Sequence, residues 1–130
     1  MRAMHPIAIA AAVVAALVHI WFFVLESLWF MRPRVWGRFG LASQAEATVV
    51  RSFAYNQGFY NLFLAAGVAI GLALIAMGDP VAGRAIVLFA CGSMIAAAIV
   101  LCMHDRRFLR AAAIQAVPPL VVFAVVVFLG

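Results

Sequence analysis

A chain of 130 residues has room for one domain. It is 69% hydrophobic and 10% charged, with a mean hydropathy of +1.19. A soluble domain is about half apolar and a quarter charged, so this chain has too little polar surface to face water on all sides. That excludes an ordinary soluble enzyme, a disordered tail and a nucleic-acid module, and leaves an integral membrane protein with little outside the bilayer. The net charge of +5 does not point to nucleic acid, because all nine positive charges are arginines set mostly between apolar runs. That is where charges that set topology and face lipid headgroups are found.

The first apolar run covers residues 6–30 and ends at Arg32-Pro33, since the residue before a proline is pushed out of the helical region. Arg2 and the many alanines fit the outline of a signal peptide, but the run continues unbroken to Phe30 without a cleavage boundary, so it reads as a retained span. Glu26 lies about one turn inside the end of this span; a charged side chain costs about 3 kcal/mol at the bilayer centre on insertion scales and less toward the ends. His19, seven residues earlier, shares its helix face about 10 Å nearer the membrane middle. Trp21, Trp29 and Trp36 read as packing residues and interface anchors.

The second helix opens with a capping box, Ser43 and Glu46, and stops at Gly78, with its span over residues 55–77. From residue 43 to residue 77 it would be about 52 Å long, more than a bilayer needs. Either its first section protrudes or lies at the interface, or the helix bends near Gly58. It carries the polar stretch Tyr55-Asn56-Gln57-Gly58-Phe59-Tyr60-Asn61. Asn56 with Tyr60, and Gln57 with Asn61, are spaced to share a helix face. Gly67 and Gly71 form a GxxxG pattern that permits close helix approach, either within the chain or in a homodimer.

Asp79-Pro80 reads as N-cap and first-turn proline of a third helix running to about Met103, with its span over residues 82–103. Cys91 and Cys102 lie eleven residues apart on it, about 16 Å, which is beyond disulfide reach, so they read as packing residues with reduced thiols. After a short connection at Asp105, a fourth helix runs over residues 106–129, with its span over 108–129. Gln115 is followed by Pro118-Pro119, which leave the carbonyls of Ile114 and Gln115 without helical donors and predict a kink. Each run is long enough to cross about 30 Å of hydrocarbon. None alternates as barrel strands do. The expected fold is all-α, a single domain over residues 1–130 forming an antiparallel four-helix transmembrane bundle.

Arg32, Arg34, Arg38 and Arg51 flank the first connection, and Arg106, Arg107 and Arg110 the third, against Arg2 and Arg84 on the other side. Seven against two places both arginine-rich connections in the cytoplasm and both termini outside it. Measured from those cytoplasmic ends, Glu26, Asn61 and Gln115 fall roughly one to two turns inside, with Asn56 and Gln57 at the rim. With His104 at the cytoplasmic end of the third helix, they predict a polar cluster in the cytoplasmic half, and His19 and Tyr60 complete the candidate pocket. No HExxH, CxxC, phosphate loop or nucleophile elbow is present. His19 and His104 lie at different depths, which speaks against haem, and the scattered histidines and apolar cysteines do not suit zinc. No cofactor and no metal is expected.

The segments His19-Ile20-Trp21-Phe22-Phe23-Val24-Leu25-Glu26 with Trp29, Arg38-Phe39-Gly40-Leu41, and Asn56-Gln57-Gly58-Phe59-Tyr60-Asn61 with Phe63-Leu64-Ala65-Ala66-Gly67 resemble the small bacterial membrane family catalogued as domain-of-unknown-function family 1304. Its pattern has an HxxxxxLE-type first helix, an NQGxYN segment opening the second and a QxxP pattern in the fourth, which Gln115 and Pro118 match. The third helix, with Ala96-Ala97-Ala98 and Cys102, matches least. The resemblance implies a four-span fold in a bacterial inner membrane and no established activity.

Three functions fit these residues. In the first and leading one, a small-molecule binding or transport protein, Glu26 and the Asn56, Gln57, Tyr60 and Asn61 face, with His19 and Gln115, line a cytoplasm-facing pocket for a small molecule or lipid. There the carboxyl exchanges a proton for a cationic or polar substrate. In the second, an isomerase-like membrane enzyme uses Glu26 with His19 or Tyr60 as acid and base on a lipophilic substrate. In the third, the polar residues are interhelical glue in a structural or partner subunit. The bilayer is the expected partner in all three, and nucleic acid in none.

Overall fold

The computed structural model describes residues 3–130, so Arg2 lies outside the described residues. The described chain is 87% helical and without strands. Helix α1 (Pro6–Phe23) runs into a π turn at Val24–Leu28, and α2 (Pro33–Trp36) into a 3-10 turn at Gly37–Phe39. Next come α3 (Gln44–Ala76) and α4 (Pro80–His104), then a 3-10 turn at Arg106–Phe108 that leads into α5 (Leu109–Phe128). Four stretches, Pro6–Leu28, Gln44–Ala76, Pro80–His104 and Arg106–Phe128, are long and apolar enough to cross a membrane. Their outward faces carry large apolar side chains, with Phe53, Phe89 and Phe128 at 78, 78 and 82% exposed. Such a surface would associate in water and is at home in hydrocarbon, so the chain has the surface of a multi-pass membrane protein.

The helix ends follow from local sequence. The Ser43 hydroxyl accepts from the Glu46 N–H at 3.2 Å, while the Glu46 carboxylate reaches back to the Ala42 N–H at 2.8 Å. This is the expected capping box with its return bond displaced by one residue. At the other end of α3, Gly78 takes a left-handed φ of 97°. The Gly78 N–H then reaches the Ile75 carbonyl, and the Asp79 N–H the Leu74 carbonyl, which closes a Schellman motif. Asp79 serves the next helix as well, accepting from the Ala82 N–H at 3.1 Å as N-cap ahead of Pro80. One helix therefore stops and the next starts within four residues. Between α4 and α5, Asp105 pairs with Arg107 at 2.7 Å. These hydrogen bonds hold the Asp105 carboxyl below the usual carboxylate range.

The chain divides into two compact units, one of residues 1–18 and 64–130, the other of residues 19–63. The first has an apolar core in which Ala8, Ala12 and Ala15 of α1, Val68 of α3, Val87, Cys91 and Met94 of α4, and Val122 of α5 are fully buried. Small residues set its spacing. A Cβ at Gly71 would stand 2.6 Å from Val87 Cγ2 and 2.7 Å from the Gly83 carbonyl, and one at Gly83 would strike the Gly71 carbonyl. A Cβ at Gly67 would only touch Ala90, at 3.7 Å. Both glycines of the GxxxG pattern thus face α4 of the same chain, the packing role that the pattern allowed.

The second unit holds the end of α1, the π turn, α2 and the first half of α3. One feature differs from the sequence expectation. The first helix winds as a π turn near its end instead of continuing regularly to Phe30, with the Trp29 N–H bonded to the Val24 carbonyl at 2.9 Å. Helix α3 continues unbroken through Gly58, which packs closely against Ser27 and Glu26. In α5, Pro118 and Pro119 sit inside a continuous helix.

Gly83→Val should therefore cost about 1–3 kcal/mol through overpacking. Gly37 has open space around its missing Cβ, so Gly37→Ala should stay within about 0.5 kcal/mol. Thermal melts of the two variants in one detergent check the difference.

Candidate functional site

The site is built in the second unit, where the π turn lies along α3. A π turn holds more residues per turn than an α-helix and is found often at functional sites. Glu26 therefore leaves the row that a straight α-helix would give it with His19. Three residues of α3 at spacings of three, Tyr55, Gly58 and Asn61, form the opposing row. The Ser27 hydroxyl donates to the Tyr55 carbonyl at 2.7 Å. At Gly58 a Cβ would collide with Ser27 Oγ and come within 3.1 Å of Glu26 Cβ. Asn61 donates from Nδ2 to Glu26 Oε2 at 2.8 Å. Phe23 packs edge-on to Phe59, centroids 5.1 Å apart, and closes one flank.

Beside Glu26 an open cavity of about 410 Å³ carries three polar side chains, Glu26, Asn56 and Gln57. Its remaining walls are apolar, with Phe30, Phe39 and Phe53 the largest members. The segment between the two long helices supplies part of this wall. Phe39 leans on Phe30 with centroids 5.5 Å apart, and Gly40, at φ 78°, ends the 3-10 turn that carries it. Trp36 Nε1 donates to Gln44 Oε1 at 3.1 Å, tying α2 to the start of α3. The capping box then fixes the direction in which α3 leaves.

Of the residues expected in the polar cluster, Glu26, Asn56 and Gln57 meet at the cavity, and Asn61 joins through its hydrogen bond. His19 is fully buried and packs edge-on against Phe22, 5.4 Å between centroids. Tyr60 is exposed, with its ring against Phe63. Neither is among the cavity's wall residues. Gln115 is half-buried on α5, in the other unit. Sequence reasoning passed over Ser27 and the aromatic walls. Ser27 directly follows Glu26, and Gly58 sits amid the polar stretch, so a small residue among amides was the available signal for a close contact.

The carboxylate is met by an amide and not by an arginine. Arg32 instead lays its guanidinium over the Trp29 ring, 4.3 Å from the centroid. Among the described residues no three of His, Cys, Asp and Glu gather closely enough to hold a metal ion. A hydrogen-bonding and ionisable edge set into an aromatic cup can orient a small amphipathic molecule. Cavities of roughly 300–1,000 Å³ commonly do so.

The family model described as Protein of unknown function (DUF1304) matches residues 13–127, and the chain belongs to that family. The match takes in every residue of the site. No curated protein and no solved structure matches the chain.

Asn61→Ala would leave the half-buried Glu26 without its amide donor, at an expected cost of about 1–3 kcal/mol. Tyr60→Phe, on the exposed side of the same helix, should change stability by less than about 0.5 kcal/mol. Paired thermal melts in detergent, each against the unmodified chain, measure both.

Proposed function

We propose that this DUF1304 member binds a small amphipathic molecule, cationic or polar at one end, in the cavity beside Glu26 and transports it across a bacterial cell membrane. The observation that carries this reading is the pairing of one carboxylate and two amides with aromatic walls in a cavity of about 410 Å³. Asn61 engages Glu26 Oε2, which orients the carboxyl and leaves its second oxygen for a ligand. The phenyl rings offer apolar contact and faces on which a cation can rest. A carboxyl at this position gives up a proton as a cation arrives and takes one up as it leaves, which couples ligand movement to proton movement. The arginine bias, seven against two, favours termini outside the cytoplasm and a cavity mouth on the cytoplasmic side.

The walls of the cavity contain one titratable side chain, Glu26. That favours binding over acid–base chemistry, which needs a second group within reach of the substrate. The competing role as interhelical glue rests on the Ser27–Tyr55 and Asn61–Glu26 bonds.

The full chain in proton-tight vesicles, supplied with cationic amphiphilic dyes, tests the proposal. Glu26→Gln keeps the shape of the side chain and its capacity to accept from Asn61, and it should abolish proton-linked flux while leaving the melting temperature within a few degrees. Unchanged flux overturns transport. If Glu26→Gln and Asn56→Ala both lose stability strongly, the cluster is glue.

A further inference from the structure

A second concavity in the same unit, of about 520 Å³, has the opposite chemistry. Arg32, Arg34 and Arg38, which follow the first span in the chain, line it together with Trp21 and Leu25 of that span and Trp29. It shares no wall residue with the Glu26 cavity, and no acidic side chain lines it. The three arginines are exposed, so their charge is available to a ligand. Arg34 and Arg38 lie four residues apart on α2 and its following turn. The wall is continuous from charge to hydrocarbon: the Arg32 guanidinium covers Trp29 at 4.3 Å, and Trp29 meets Trp21 at 90° with centroids 5.5 Å apart. Trp21 and Trp29 lie eight residues apart in the chain, and their rings meet across the π turn.

We infer that this groove is a binding site for an anionic phospholipid, with the phosphate among Arg32, Arg34 and Arg38 and an acyl chain along Leu25 and Trp21. Three uncompensated guanidinium groups call for an anion, and their planar forks suit the oxygens of a phosphodiester. Leu25, Trp29 and Trp21 give the groove an apolar wall for which free phosphate has no use. The groove's two ends are ordered as a lipid is, with charge at the end of a membrane-crossing helix and hydrocarbon surface along the helix itself. Indoles at such a boundary are suited to the transition, apolar along the ring and polar at the N–H. The site stands apart from the proposed transport function and does not depend on it.

The test uses the full chain in nanodiscs of zwitterionic phosphatidylcholine, with phosphatidylglycerol brominated on its acyl chains titrated in at a few per cent of lipid. Bromine near Trp21 or Trp29 quenches indole fluorescence. The expected result is saturable quenching by brominated phosphatidylglycerol, weakening roughly fivefold for each Arg→Gln change at positions 32, 34 and 38. Arg51→Gln, outside the groove, should leave it unchanged. Quenching that rises linearly, to the same extent with brominated phosphatidylcholine, would show bulk lipid contact only and overturn the site. Inorganic phosphate at millimolar concentration that displaces the brominated lipid completely would show an anion site without lipid specificity, and would overturn it also. Should an arginine variant fail to fold, the unmodified chain still decides: saturable quenching must weaken as salt is raised, and quenching indifferent to salt refutes the role of the arginines.

Discussion

The missing side chain at Gly58 is the condition on which the site depends. It lets the π turn of the first span lie against α3 closely enough for Ser27 to reach the Tyr55 carbonyl and for Asn61 to reach Glu26. Away from water a carboxyl, an amide or a backbone carbonyl without a partner is expensive, so these contacts must form together. A methyl group at position 58 would separate the two rows and leave each polar group to find another partner. The π turn belongs to the same arrangement, since it gives up the regular helical bonding pattern and presents Glu26 to α3.

The same short stretch also separates two opposed chemistries. Glu26 and Phe30, four residues apart, line the acidic cavity, while Leu25 and Trp29, also four apart, line the basic groove with Trp21. The two sets are offset by a single residue, which is enough to place them on neighbouring faces of a helical segment. The arginines after the break serve one face and Phe39 serves the other, both carried by the segment that Trp36 ties to Gln44. A carboxylate and three guanidinium groups are thereby kept from neutralising each other within a few residues of chain. Arg32 turning over the Trp29 ring is the local form of that separation.

Much of this was legible in the sequence, and the parts that were not share a cause. Ser43 with Glu46, Gly78, and Asp79-Pro80 are local signals whose meaning is fixed within four residues, and each forms the cap or stop expected of it. Counting depth along two helices brought Glu26 and Asn61 together, because rise per residue is nearly constant. The π turn was not legible, because Val24–Leu28 holds neither glycine nor proline to mark it. Phe30, Phe39 and Phe53 read as packing residues, since an aromatic side chain looks alike in sequence whether it fills a core or walls a cavity. Gly58 within a long helix suggested a bend, and only its neighbours reveal a contact.

Buried polarity is unevenly distributed along the chain. Among the described residues the buried polar or charged side chains are His19 and Asn61, both in the unit of residues 19–63. The other unit buries alanines, valines, Cys91 and methionines, and its glycines bring backbones together. That is how helices associate in a solvent as apolar as their own side chains, where small residues and close contact replace the hydrophobic effect. A fold needing only cohesion would extend the same economical packing throughout. The polar groups gather instead in one unit, together with the π turn and two concavities of opposite charge. That unit is the one in which both proposed ligand sites lie.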